Sequence, residues 1–245
     1  MRKILVISII LSTVALAQND GLVKTYYPSG ALETEGNYAN GVRDGLWTFW
    51  YEGEVYQDYG EDGDPNTQDE GEGNGEWDST ETVLLDLDGD TFFDPPKKQM
   101  EGSYSLGNRE GLWTTWYLNS MRKEESNYTS GKLSGTIIRW YENGNKSEDG
   151  VYETGKQNGI WIWYYKTGIK KEQTRFVDGQ QDGLWLQWFT DGAKKSERKF
   201  TNGERDSLWT SWYENGNKKF QATYANGKLN GSWTSWYENG IIKEK

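Results

Sequence analysis

Short aromatic and aliphatic runs alternate with polar turns along this chain, and the alternation itself repeats. Residues 208–213, Leu-Trp-Thr-Ser-Trp-Tyr, read as a strand, because Trp, Thr and Tyr suit a pleated, half-buried surface. Successive strand residues point to opposite faces, so Trp209, Ser211 and Tyr213 share one face and Leu208, Thr210 and Trp212 the other. Glu214-Asn215-Gly216-Asn217 follows, and Asn-Gly between such runs marks a hairpin. Lys218 to Tyr224 is the predicted returning strand, and Ala225-Asn226-Gly227-Lys228 turns the chain again. No apolar i, i+3, i+4, i+7 series persists, so no helix is expected.

The unit is copied at fixed spacing. The residue opening the Trp segment is Gly111, Gly135, Gly159, Gly183, Ser207 and Gly231, each 24 residues after the last, with an earlier copy at Gly45. The second turn keeps its glycine at Gly41, Gly107, Gly131, Gly155, Gly179, Gly203 and Gly227, where a left-handed conformation is needed. A period this short predicts a stacked array, since a lone two-stranded hairpin is not stable. The expected fold is all-β: an elongated antiparallel hairpin array forming a single twisted or curved sheet. About 15 strands at ~4.8 Å each would span roughly 70 Å. Both faces should carry an aromatic row. Residues 18–27, with Tyr26-Tyr27 and then Pro28-Ser29-Gly30 in the places of Trp-Tyr and Glu-Asn-Gly, are predicted to be half of a degenerate unit capping the array.

The array is interrupted once. Between Tyr51 and Lys97-Lys98 lie 42 residues more than the repeat allows, at a hairpin tip, and register resumes at Lys98 and Tyr104. Residues 52–95 hold 16 of the 38 Asp and Glu and no Lys or Arg. The remaining 22 acids face 27 bases, so a chain of net charge −11 is a mildly basic array carrying an acidic insert. Within the insert, Asp86, Asp88, Asp90 and Asp94 cluster as oxygen ligands for calcium would. Gly89 stands fourth rather than sixth in that loop and no Glu closes it, so the alternative is a hairpin of Val83–Leu87 and Thr91–Phe93 around Asp88-Gly89.

At the N-terminus, Arg2 and Lys3 precede the apolar run Ile4 to Leu11, and Ala15-Leu16-Ala17 is a small-x-small cleavage pattern. This layout predicts a signal peptide over 1–17. The expected location is exported: periplasmic, outer-membrane-associated or extracellular. Residues 18–245 then form one repeat domain, interrupted by 52–95.

The pattern Y-x-x-G-x-x-x-G-x-W-x-x-W-Y-x-x-G-x-x-K, over 38–51 and 97–245, resembles the MORN-type repeat in its bacterial variant form. The resemblance implies an extended β array used as a scaffold or binding surface. Bacterial members of that family are often antitoxin-like, and some eukaryotic relatives are linked to membranes or lipids.

Candidate chemistry is narrow. The absence of His removes His-based triads and bases, and the absence of Cys removes thiol catalysis and zinc–thiolate sites. No phosphate-loop or dinucleotide fingerprint occurs, and no enzyme is expected. Two surface features remain. The aromatic rows comprise Trp47, Trp50, Trp113, Trp116, Trp140, Trp161, Trp185, Trp188, Trp209, Trp212, Trp233 and Trp236, which either pack between hairpins or form a stacking platform. The doublets Lys170-Lys171, Lys194-Lys195 and Lys218-Lys219 are either solvated turn residues or a basic stripe for anionic lipid or acidic glycan. The expected function is an exported, non-enzymatic scaffold of the bacterial envelope that binds protein. The alternatives are a binder of envelope glycan or lipid, and an immunity-like partner of a toxin. Nucleic acid is not an expected partner, and no cofactor is expected beyond calcium at the insert.

Overall fold

The computed structural model describes residues 20–53, 55–57, 82–85 and 96–245. The predicted signal peptide and most of the insert, including Asp86, Asp88, Asp90 and Asp94, lie outside the described residues. The strands are β1 (Gly21–Tyr26), β2 (Leu32–Ala39), β3 (Val42–Trp50), β4 (Val55–Gln57), β5 (Thr82–Leu85), β6 (Lys98–Ser105) and β7 (Asn108–Trp116). They continue as β8 (Arg122–Thr129), β9 (Lys132–Trp140), β10 (Lys146–Glu153), β11 (Lys156–Tyr164), β12 (Lys170–Val177) and β13 (Gln180–Gln181). The last are β14 (Gly183–Trp188), β15 (Lys194–Thr201), β16 (Glu204–Trp212), β17 (Lys218–Ala225), β18 (Lys228–Trp236) and β19 (Ile242–Glu244).

Apart from β4 and β5, the strands form one 17-stranded antiparallel sheet in chain order, with β13 and β14 both pairing with β12. There is no helix among the described residues, and the sheet does not close into a barrel. β3 pairs directly with β6, while β4 and β5 pair only with each other. Val83 is thus the backbone partner of Tyr56; the remainder of the hairpin expected around Asp88-Gly89 lies outside the described residues.

Two turn types alternate along the rims. One is a two-residue turn with both residues left-handed, as at Asn40 (φ 52°) and Gly41 (φ 74°). This is the type I′ geometry, whose twist matches that of the strands, and it confirms the left-handed reading of the turn glycines. The other closes Tyr-Glu-Asn-Gly-Asn. The Gly144 N–H donates to the Tyr141 carbonyl at 2.9 Å, and the Tyr141 N–H to the Asn145 carbonyl at 2.8 Å. Tyr27-Pro28-Ser29-Gly30-Ala31 closes with the same two bonds, at 2.9 and 2.8 Å. The N-terminal segment is therefore a full hairpin of the array rather than half a unit.

The glycine opening each Trp segment makes a bulge. Pairing between β2 and β3 steps from Gly36–Trp47 to Asn37–Asp44, so Gly45 and Leu46 lack partners on β2 while staying paired with β6. The step lays the Trp47 indole flat over Gly36. A Cβ at Gly36 would stand 2.2 Å from the ring, and the same holds for Gly102 under Trp113 and, at 2.3 Å, for Gly150 under Trp161. The indole N–H donates to a carbonyl ten residues back: Trp47 to Asn37 at 3.0 Å, and Trp113 to Ser103, Trp161 to Val151 and Trp209 to Lys199 at 3.1 Å. Tyr38 and Tyr104 meet Trp47 edge-on at 5.2 and 6.2 Å, and the Arg43 guanidinium covers it at 4.3 Å. Trp47 is left 1% exposed. Burying an indole of this size is worth roughly 4–6 kcal/mol of gross transfer free energy. A sheet with no second layer thus makes its core from rings resting on its own backbone.

Neighbouring units are joined by two further ladders. The turn glycine donates its N–H to a strand carbonyl of the preceding unit, as in Gly131 to Arg109 at 2.9 Å and Gly155 to Leu133 at 2.8 Å. The loop tyrosine donates its hydroxyl 23 residues on, as in Tyr27 to the Trp50 carbonyl, Tyr117 to Trp140 and Tyr141 to Tyr164. The insert preserves both ladders. The Gly107 N–H reaches the Arg43 carbonyl at 2.9 Å and the Tyr51 hydroxyl the Trp116 carbonyl at 2.9 Å, while the Tyr51 N–H closes the loop on the Lys97 carbonyl at 2.9 Å.

One unit departs from the pattern. Thr174 stands where Gly102 and Gly150 stand in others, and the strand opposite is split at Asp182 into β13 and β14. The Thr174 hydroxyl and the Trp185 indole N–H are buried without hydrogen-bond partners. The Arg175 carbonyl, ten residues before Trp185, accepts the Asp182 N–H at 2.9 Å. The loop residue of this unit is Phe189, which has no hydroxyl to donate.

Two outcomes follow from this packing. Gly102→Ala drives a methyl into the Trp113 ring and is expected to lower stability by about 1–3 kcal/mol; an unchanged urea midpoint would show that the indole does not rest on the backbone. Phe189→Tyr supplies the missing donor to the Trp212 carbonyl and is expected to add about 0.5–1.5 kcal/mol, read as a rise in melting temperature.

Candidate functional site

Strand alternation sorts the expected site residues onto two faces. The first Trp of each unit lies on what we term the indole face. Trp47, Trp113 and Trp161 are 0–1% exposed, Trp209 is buried, and Trp185 and Trp233 are half-buried. The buried members of this row are core and cannot present a binding surface, because the glycine bulge lays them on the neighbouring strand. The second Trp of each unit, Trp50, Trp116, Trp140, Trp188, Trp212 and Trp236, lies half-buried on the opposite face.

The lysine doublets do not form one stripe. The first member of each keeps to the second-Trp face: Lys194 and Lys218 stand 5.7 Å over Trp212 and Trp236. These first lysines are also engaged three residues on. Lys170 donates to Gln173 at 3.1 Å, Lys194 to Glu197 at 2.8 Å and Lys218 to Gln221 at 3.3 Å. The second members turn to the indole face, with Lys171 over Tyr165 at 6.0 Å, Lys195 over Phe189 at 5.5 Å and Lys219 over Tyr213 at 5.3 Å. Residues i and i+1 of a strand diverge, so the expected single row is two.

A surface absent from the sequence reading stands out instead. Leu46, Leu112, Ile160, Leu184 and Leu208 each precede a first Trp, share the second-Trp face, and are 51–56% exposed. Thr136 and Ser232 fill the same position in the two other units. Neighbouring units place these side chains two strands apart, or about 10 Å. Val42, Leu106, Val151, Val177 and Leu229, also exposed, occupy the same end of the strands. Isolated exposed aliphatic residues are ordinary; here they recur in register on one face, interleaved with Ser103, Asn127, Arg175, Lys199 and Thr223 of the paired strands, which makes the row a candidate interaction site. The signal was available as the recurring Gly-Leu-Trp triplet.

The electrostatic detail is local. On the indole face, Arg139 bridges Glu124 at 2.7 Å and Glu148 at 3.0 Å. Tyr164 replaces the second Trp of its unit and donates its hydroxyl to Asp149 at 2.9 Å. Burial first, then the Asp149 hydrogen bond and charge, push the Tyr164 phenol up to about 12. Burial likewise raises Tyr27 and Tyr117, whose hydroxyls belong to the inter-unit ladder.

A family model described as MORN repeat variant matches the chain at residues 19–40, 157–178, 205–226 and 229–245. The first match falls on the N-terminal hairpin. The units between 98 and 153 lie outside the matches but share their type I′ turns and indole bonds. No match to the chain is found among curated proteins.

The Tyr164 environment generates a pH prediction. A phenol raised in the folded state contributes stability that is complete below its unfolded value of 10.0 and is lost as pH climbs through 12. Tyr164→Phe should therefore show a shallower fall in urea midpoint across that interval than the parent. Parallel curves would remove Tyr164 as a contributor.

Proposed function

We propose, from the premise that the chain carries MORN-variant repeats at four places, that it is an exported interaction module that binds a protein partner through the aliphatic row. MORN repeats are non-catalytic and commonly mediate protein or lipid interaction. The observation that carries the reading is the row itself: Leu46, Leu112, Ile160, Leu184 and Leu208 exposed on one face in register with the repeat. Protein is favoured over an anionic bilayer because the insert adds concentrated negative charge. Residues 1–17 support export to the envelope or beyond. In this role the protein is not an enzyme and the array uses no cofactor. Calcium at Asp86, Asp88, Asp90 and Asp94 would add a property of the insert alone.

The test is the triple variant Leu112→Asp, Leu184→Asp and Leu208→Asp. Each position is about half exposed, so the melting temperature should stay close to the parent's. Cross-linked capture from envelope extract, with partners identified by mass spectrometry, is expected to recover one protein with the parent and lose it with the variant. Equal recovery by both, or co-sedimentation of both with peptidoglycan or anionic liposomes and no protein captured, would overturn the reading. A captured toxin would identify the module as an immunity-like partner.

A further inference from the structure

A groove on the indole face lies between β14–β15 and β16–β17, with a volume of about 450 Å³. That is within the range of small-molecule sites, roughly 300–1,000 Å³. Its origin is visible in two columns of the repeat. The positions of Glu124, Glu148 and Glu172 continue as Ser196, and those of Phe49, Arg139 and Trp163 as Gln187 and Ser211. Small side chains thus replace large ones where two units meet, and a carboxylate present in three earlier units is gone.

A cation has been added at the same place. Arg198 stands in the column of Gly36, Gly102 and Gly150. Its guanidinium lies between Trp185, at 4.9 Å, and Trp209, at 5.3 Å. Arg139, two units earlier, is satisfied by Glu124 and Glu148; Arg198 has no ion-pair or hydrogen-bond partner among the described residues. Burial, then the neighbouring Arg205, pull it below its ordinary value, and the Glu172 carboxylate offsets them only in part. Lys195 and Lys219 also line the groove. The remaining polar lining is suited to hydroxyl groups. The Ser211 hydroxyl makes no hydrogen bond among the described residues, Ser196 donates to Gln187 at 2.9 Å, and Glu214 and Glu238 also line the groove.

We propose that this groove binds an acidic sugar, with the Arg198 guanidinium receiving its carboxylate. A planar fork of donors holds a carboxylate in two parallel bonds. Lys195 and Lys219 add attraction from the flanks. Ser211, Gln187, Glu214 and Glu238 exchange hydrogen bonds with ring hydroxyls. This site is on the face opposite the aliphatic row and is independent of the protein-binding role.

The experiment is calorimetric titration of the full chain with glucuronic acid, beside glucose, acetate and inorganic phosphate. Glucuronic acid is expected to bind at millimolar or lower concentration and to weaken with added salt, while glucose and acetate bind at least tenfold more weakly. Two variants report on the site without endangering the fold, because each introduces a residue that other units carry. Arg198→Gly should weaken glucuronic acid at least tenfold, and Ser211→Trp should fill the groove and abolish binding. No binding by the parent, equal binding of glucose, phosphate bound as tightly as glucuronic acid, or unchanged binding in either variant overturns the proposal.

Discussion

The structure depends on an indole lying flat on the backbone of the adjacent strand. A single-layer sheet has no opposing layer to receive its hydrophobic face, yet its aromatic residues must leave water for the fold to hold. The bulge at Gly45 and its equivalents solves this by folding Trp47 back over Gly36, where the indole N–H also finds a carbonyl. Under Trp47, Trp113 and Trp161 the ring rests on a glycine, whereas Trp209 keeps the same indole bond opposite Arg198; the bulge needs a residue that tolerates a left-handed backbone, such as Gly45 at φ 69°. Arg43 and the flanking tyrosines then close the remaining sides of the ring.

The two ladders between units have a different character. They use backbone amides and phenol hydroxyls, so they hold whatever side chains fill the rest of the unit. That separation explains how a long acidic segment can enter at one tip. Tyr51 and Lys97 close the loop with the bond that Tyr141 and Asn145 use, and the next unit stacks as though nothing intervened. It also frees other columns to vary, which is how a groove can form at Ser196 and Ser211 without disturbing the sheet.

Much of this was legible in the sequence. The period, the hairpins and the left-handed turn at Asn226-Gly227 follow from spacing and turn chemistry, and alternation correctly put Trp209 and Leu208 on opposite faces. Which aromatic row would be buried was not legible. Trp209 and Trp212 look alike in sequence, and the choice follows from a register step against the preceding strand that periodicity does not reveal. The aliphatic row was overlooked for a related reason. Leu208 sits in an aromatic run that reads as core, yet it is about half exposed. The N-terminal hairpin was undervalued because Pro28-Ser29-Gly30 lacks the Asn-Gly pair, although the loop needs only the glycine at its end.

In an array held by nearest-neighbour contacts, stability is a chain of local interfaces and the weakest one sets where it divides. The unit of Thr174, Trp185 and Phe189 combines two orphaned polar groups, a split strand and a missing phenol donor. These deficits fall at one joint, with well-formed units on either side. By that principle this joint is where the array is expected to divide first. Under heat or tension the amides of β13 and β14 would exchange with solvent first, and separation there would leave each side folded, the C-terminal one exposing a fresh strand edge.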